Sequence, residues 1–203
     1  MEYTIGNRKI GKDTLIFNMG SATNCPSKLA GLCDINCYAM KAEKQYPHSL
    51  PYRTRQEKYW LETDSFEIAE EIQKAFNRNL KTKLKYVRVN EAGDFHSMAC
   101  VEKLIQIAQI LPHIKFYTYT HRSDLIHAGM NIPANLVINT SNFSVKGFNQ
   151  FKAIPEIKVH GMKKIAKVKK EILNFADFAC MGDCSICGYC KKSHGKTIGV
   201  PLH

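Results

Sequence analysis

Apolar and polar positions alternate along the chain in two periods. Asp13-Thr-Leu-Ile-Phe-Asn-Met19 is a short apolar run, read as a strand, and it opens into a Gly- and Cys-containing loop from Gly20 to Cys37. Tyr38 to Lys41 continue without Gly or Pro until Pro47, which predicts a helix beginning beside the third cysteine. From Asp64 to Leu80 the positions Phe66, Ile68, Ala69, Ile72, Ala75 and Phe76 recur at helical spacing, and Asp64 with Glu67 forms a capping-box pattern. Strand and helix then alternate: strands at 84–90, 114–120, 135–140, 156–160 and 177–180, and helices at 97–111, 123–129, 144–151 and 163–174.

Six strands joined by helical crossovers read as parallel βαβ units, which makes the fold class α/β. A closed eight-stranded barrel needs about 250 residues, more than the 203 present. The architecture expected is therefore an incomplete barrel or an open doubly wound sheet, and in either the loops after the strands form the functional rim. One domain is expected over residues 1–180, with a three-cysteine loop at 20–40, and residues 181–203 form a cysteine-rich extension packed on it. With the first and last of six strands at the edges, the two cysteine groups would flank the lateral opening.

Composition narrows the class. Apolar residues make up 44% and charged residues 23%, which disfavours disorder and fibrous architectures. No apolar run reaches the roughly 20 residues a membrane span needs, and the first residues lack the apolar stretch of a secretory signal, so a cytoplasmic protein is expected. In that reducing compartment eight cysteines in two tight groups point to thiolate coordination rather than disulfides. The net charge of +11 suits a nucleic-acid partner, although coordinating thiolates would offset part of it.

The first group, Cys25, Cys33 and Cys37, is spaced C-x7-C-x3-C and supplies three ligands with one position left free. For zinc, a free position holds a catalytic water; for a four-iron four-sulfur cluster, it leaves one iron able to bind a small molecule. All-thiolate ligation favours the cluster, while His48 or His96 would complete a zinc site. The second group, Cys180, Cys184, Cys187 and Cys190, is spaced C-x3-C-x2-C-x2-C and can close either a second cluster or a structural zinc site. Cys100, among Met98, Val101, Leu104 and Ile105, reads as core.

The segment Asn90-Glu91-Ala92-Gly93-Asp94-Phe95-His96 places two carboxylates and a glycine on the expected rim. Its carboxylates would accept from an amine or a ribose, or else cap the next helix. Thr118, Thr120, His121 and Arg122 after the third strand, and Asn139, Ser141 and Asn142 after the fourth, add polar groups there.

The stretch from Cys25 to Ala39, together with Glu91-Ala-Gly93-Asp94-Phe95, resembles the phage family called gene product 88. More distantly, the three-cysteine loop, the aromatic Tyr38 beside its last cysteine and the polar Gly motif after the second strand resemble the radical S-adenosylmethionine superfamily. That resemblance implies a partial (βα)6 barrel in which Cys25, Cys33 and Cys37 hold a cluster whose open iron chelates S-adenosylmethionine. It would place Tyr38, Glu91, Gly93, Asp94, Asn139 and Ser141 around the cofactor and require an electron donor. The superfamily's usual spacing is C-x3-C-x2-C, from which this chain departs. A nucleotide or nucleic acid is the expected substrate class. The alternatives are a non-enzymatic metal-stabilised nucleic-acid-binding module and a redox or sensor protein.

Overall fold

The computed structural model describes residues 1–7, 9–33, 37–159 and 167–202. Among these residues eight strands form a single open sheet: β1 (Thr4–Ile5), β2 (Thr14–Phe17), β3 (Tyr86–Val89), β4 (Lys115–Thr120), β5 (Leu136–Ser141), β6 (Asn149–Lys158), β7 (Phe178–Ala179) and β8 (Thr197–Leu202). Their order is β1-β2-β3-β4-β5-β6-β8-β7, with β1 antiparallel to β2 and every other neighbouring pair parallel. From β2 to β6 the order follows the sequence without the reversal that defines a doubly wound sheet. The fold is thus mixed α/β with an open sheet.

Among the described residues, four α-helices lie between β2 and β3, α1 (Pro26–Leu29), α2 (Tyr38–Gln45), α3 (Ser49–Glu62) and α4 (Ser65–Arg78), followed by a 3-10 turn at Leu80–Thr82. α4 starts where its sequence predicts, since Asp64 Oδ1 accepts from the Phe66 and Glu67 amides at 2.8 and 2.9 Å. α5 (Met98–Ile110) links β3 to β4, and α6 (Lys169–Ile172) and α7 (Cys184–Cys187) are single turns. One sheet face carries Leu15, Phe17, Val87, Val89, Phe116, Leu136 and Ile138, which pack on Trp60, Ile68, Ile72, Leu104 and Ile107 of the helices. Cys100 is buried in this cluster, as its neighbours suggest. Each large apolar side chain sealed there contributes about 1.5–3 kcal/mol.

Several expectations are corrected. The sheet has eight strands rather than six, because β1 and β8 are added, and β8 inserts between β6 and β7. Residues 123–129 are turn rather than helix: Arg122 and Asp124 pair with each other, and Arg122 reaches back to the Phe95 carbonyl, which holds the chain in an irregular path. The helix expected at 144–151 is a turn followed by the start of β6, which runs from Asn149 rather than from residue 156. Pro155 lies inside that strand, where the ladder to β8 shifts register between Ile154 and Lys158, the kind of irregularity that tolerates a missing amide donor. Of the helix expected at 163–174, residues 163–166 lie outside the described residues, and α6 is its regular remainder.

A thiolate cavity and a pinned cysteine loop

The sheet's second face carries Tyr86 and Arg88 of β3, Tyr117 and Tyr119 of β4, Asn139 of β5 and Asn149 and Phe151 of β6, following the strand alternation and register. Tyr86, Tyr117, Tyr119 and Phe151 meet edge-to-face in sequence, with centroids 6.3, 6.3 and 5.2 Å apart. The C-terminal segment folds over this face instead of standing beside the sheet edge.

Asn139 and Asn149 hold it there. Asn149 Nδ2 donates to Asn139 Oδ1 and to the Lys192 carbonyl, while Asn149 Oδ1 accepts from the His194 and Gly195 amides. Asn139 Nδ2 donates to the carbonyls of Thr118 and Cys190. Tyr189 stacks on Phe178 at 3.9 Å and meets His194 at 4.1 Å. The segment also reaches the far end of the sheet: the Cys184 amide donates to the Lys9 carbonyl at 2.8 Å, and Lys191 Nζ lies 3.7 Å from Asp13 and 4.0 Å over the Tyr86 ring.

Cys180, Cys184, Cys187 and Cys190 all line one mainly apolar cavity, together with Tyr117, Tyr119 and Phe178. Its free volume is about 20 Å3, room for little more than a water molecule. Burial pushes the Cys190 thiol up to about 12 against the Tyr119 hydroxyl, and the other three sulfurs raise it further. Burial also raises Cys180, against the Gly182 amide. Without a cation these are neutral thiols, and a bound metal would reverse that preference. The donor set and its enclosure fit a closed site. A space of this size has room for one ion rather than for a four-iron cluster, and in either case the half-exposed turn carrying Cys184 and Cys187 would have to shift to bring the sulfurs together. Among the described residues, no three His, Cys, Asp or Glu side chains are grouped so as to hold a metal ion.

The first cysteine group lies at the C-terminal ends of β2 and β3. Its loop is pinned by carboxylates on both sides. Glu43 accepts from the Ala22 and Thr23 amides at 2.7 and 3.1 Å, from Thr23 Oγ1, and from buried Arg53 at 2.9 Å. Burial works against the Glu43 carboxylate, yet the Ala22 amide, Arg53 and Thr23 together hold its pKa below the ordinary value. Asp94 is 2% exposed; Oδ2 accepts from Ser27 Oγ at 2.6 Å and the His121 amide at 2.8 Å, and Oδ1 from the Phe95 amide. Burial raises the Cys25 thiol to about 11 despite the Lys28 amide, with Asp94 and Cys33 adding to the effect. Cys37 packs on Ala22, Ala39 and Ala92. Residues 34–36, between Cys33 and Cys37, lie outside the described residues.

The remaining sequence candidates divide by what already engages them. Gly93 has φ +75°, and a Cβ there would stand 2.7 Å from the Gly20 backbone, so this glycine serves the meeting of two loops. Tyr38 donates to the Glu91 carbonyl, and Glu91 Oε1 accepts from Asn7 at 2.6 Å; Tyr38 is 56% exposed. Ser141 lies at the end of β5 opposite Phe151. His96 Nε2 faces the Met19 carbonyl at 3.1 Å and Glu57 at 3.4 Å, and His48 precedes α3. Sequence reasoning passed over Asn18, whose Oδ1 accepts from the Glu91 and Ala92 amides and whose Nδ2 donates to Gln56, and it passed over Asn149 and Glu43. Only their burial as polar residues marks them out, and burial is not written in local sequence.

The sequence profile described as Gene product 88 matches residues 2–184. The chain belongs to that family. The span matched to the gene product 88 family takes in Cys25, Cys33, Cys37, Cys180 and Cys184 and ends before Cys187 and Cys190. No curated protein and no solved structure matches the chain. Among the described residues, no helix is long and apolar enough to cross a membrane.

Proposed function

We propose that this gene product 88 chain is a metal-thiolate protein. Cys180, Cys184, Cys187 and Cys190 form a closed site, for zinc or a cluster, that fixes the C-terminal segment. Cys25, Cys33 and Cys37 ligate a four-iron four-sulfur cluster on the rim. The observation that carries this reading is the enclosure of four cysteines around one cavity. Such a three-thiolate cluster supplies one-electron chemistry and an iron open to a small molecule.

The reaction class we favour is that of the radical S-adenosylmethionine enzymes, acting on a nucleotide or nucleic acid. The uninterrupted strand order from β2 to β6, compatible with a partial barrel, supports it. In this reading Tyr38 and Glu91 meet the cofactor beside Cys37, Gly93 and Asp94 hold their loop, Ser141 borders the same space, and Asn139, sealed beneath the C-terminal segment, acts only through that segment. A nucleic-acid-binding module with two structural metals is the second reading. It is favoured by the charge of +11 and by a cleft of about 340 Å3 lined by Phe76, Tyr86, Lys85, His113 and Lys115.

Anaerobic purification with iron, sulfide and zinc quantified, then electron paramagnetic resonance with and without S-adenosylmethionine, separates the two. Iron and sulfide with a signal perturbed by S-adenosylmethionine supports the enzyme, with about eight irons per chain if both sites hold four-iron clusters. Zinc without iron ends the cluster reading and leaves the binding module.

A further inference from the structure

Arg88 stands on the second face of the sheet, opposite Ile16 of β2 and Tyr117 of β4. Its guanidinium lies 5.0 Å over the Tyr119 ring, and its principal electrostatic neighbours are Tyr38, Tyr119, Tyr117 and Glu91. It is therefore placed between the Tyr38 side of the first cysteine loop and the Tyr119 side of the second. Among the described residues it has no ion pair and no hydrogen bond. Its Nε is sealed from solvent without a partner, while its two terminal amino groups are not sealed. The Glu91 carboxylate, the one carboxylate among those neighbours, accepts from Asn7 at 2.6 Å instead. A further buried donor two residues along, Asn90 Nδ2, also lacks a partner.

A cation kept half-buried with an unpartnered donor is costly unless an acceptor completes it. The planar guanidinium fork matches an oxyanion, carboxylate or phosphate, in bidentate fashion, and its ring contact with Tyr119 fixes the plane of that fork. We propose that Arg88 is the anchor of an anion-binding subsite on this face, which receives the carboxylate or phosphate of a small-molecule ligand between the two cysteine loops. This holds whichever metal the thiolates take.

Phenylglyoxal modification of the purified, metal-containing protein, read by peptide mass spectrometry, tests it. Titration with inorganic phosphate and with acetate, at ionic strength held constant with chloride, should slow modification of Arg88 saturably, by about fivefold or more, and leave exposed Arg78 unaffected. The anion that saturates at lower concentration identifies the ligand's class. In Arg88→Lys, which keeps the charge and loses the fork, the rise in unfolding temperature produced by that anion should disappear with metal content unchanged. Equal protection of Arg88 and Arg78, no protection, or no reactivity of Arg88 even without anion would overturn the proposal. So would loss of metal in Arg88→Lys without any anion response in the wild type, since Arg88 would then be a counter-charge for the thiolates. If the variant does not fold, the wild-type protection assay decides alone.

Discussion

Glu43 and Asp94 are carboxylates turned toward the protein's own backbone, and each fixes one side of the first cysteine loop. Glu43 pairs with Arg53, which is itself buried, so loss of its charge leaves a cation without its counter-ion. The Glu43→Gln variant should lose about 2–3 kcal/mol at neutral pH, the range expected for a buried charged hydrogen bond. Because its folded pKa is depressed, the stabilisation is present above the unfolded value of about 4.3 and is lost as pH falls through the lower folded value. Urea denaturation of both proteins should therefore show a gap at pH 7 that closes below pH 4, and a gap unchanged by acid would contradict the assignment. At this scale the sequence marks the chemistry but not its direction. Asp94 and Gly93 stand out as a polar turn, yet nothing local says that the aspartate's acceptors are taken by Ser27 and His121, or that the glycine makes room for Gly20.

The elements most legible in the sequence are those whose periodicity and caps agree. α4 has both an apolar stripe and Asp64, and β2 to β5 lie within two residues of where their apolar runs place them. α3 is hard to read because Arg53, Gln56 and Glu57 are buried polar residues on its inner side, which blurs the stripe. β6 is masked by Pro155, and β8 by a short segment, Thr197–Leu202, that interrupts its apolar residues with Gly199 and Pro201. These two strands carry the consequence, because β6 supplies Asn149. Its side chain ties Asn139 to Lys192, His194 and Gly195, so Asn149→Ala removes four hydrogen bonds at once. Hydrogen exchange should rise across residues 188–196 and leave α4 and α5 protected. Uniform acceleration across all helices would mean that Asn149 supports the whole fold rather than the clamp.

At the scale of the molecule, an open sheet has two ends that nothing in its hydrogen-bond ladder joins, and the C-terminal segment spans them. It departs from β7 at one edge, crosses the tyrosine face and meets Lys9 and Asp13 before β2. A metal on Cys180, Cys184, Cys187 and Cys190 would lock that strap, and its binding free energy would become folding free energy. The first group has a different position, on a rim loop already held by Glu43, Asp94 and Asn18, so a metal there would add little to the global fold. Cys187→Ala should accordingly lower the unfolding midpoint by about 4–8 °C, corresponding to roughly 2 kcal/mol for a chain of this size, while Cys33→Ala should shift it much less and lose the rim metal. Scanning calorimetry with metal analysis of both variants measures this, and equal destabilisation would reject the division between a strap that holds the sheet and a rim site that it leaves free. The spacing of the cysteines is enough to group them, but the contrast between the two groups depends on where β8 and Asn149 carry the C-terminal segment.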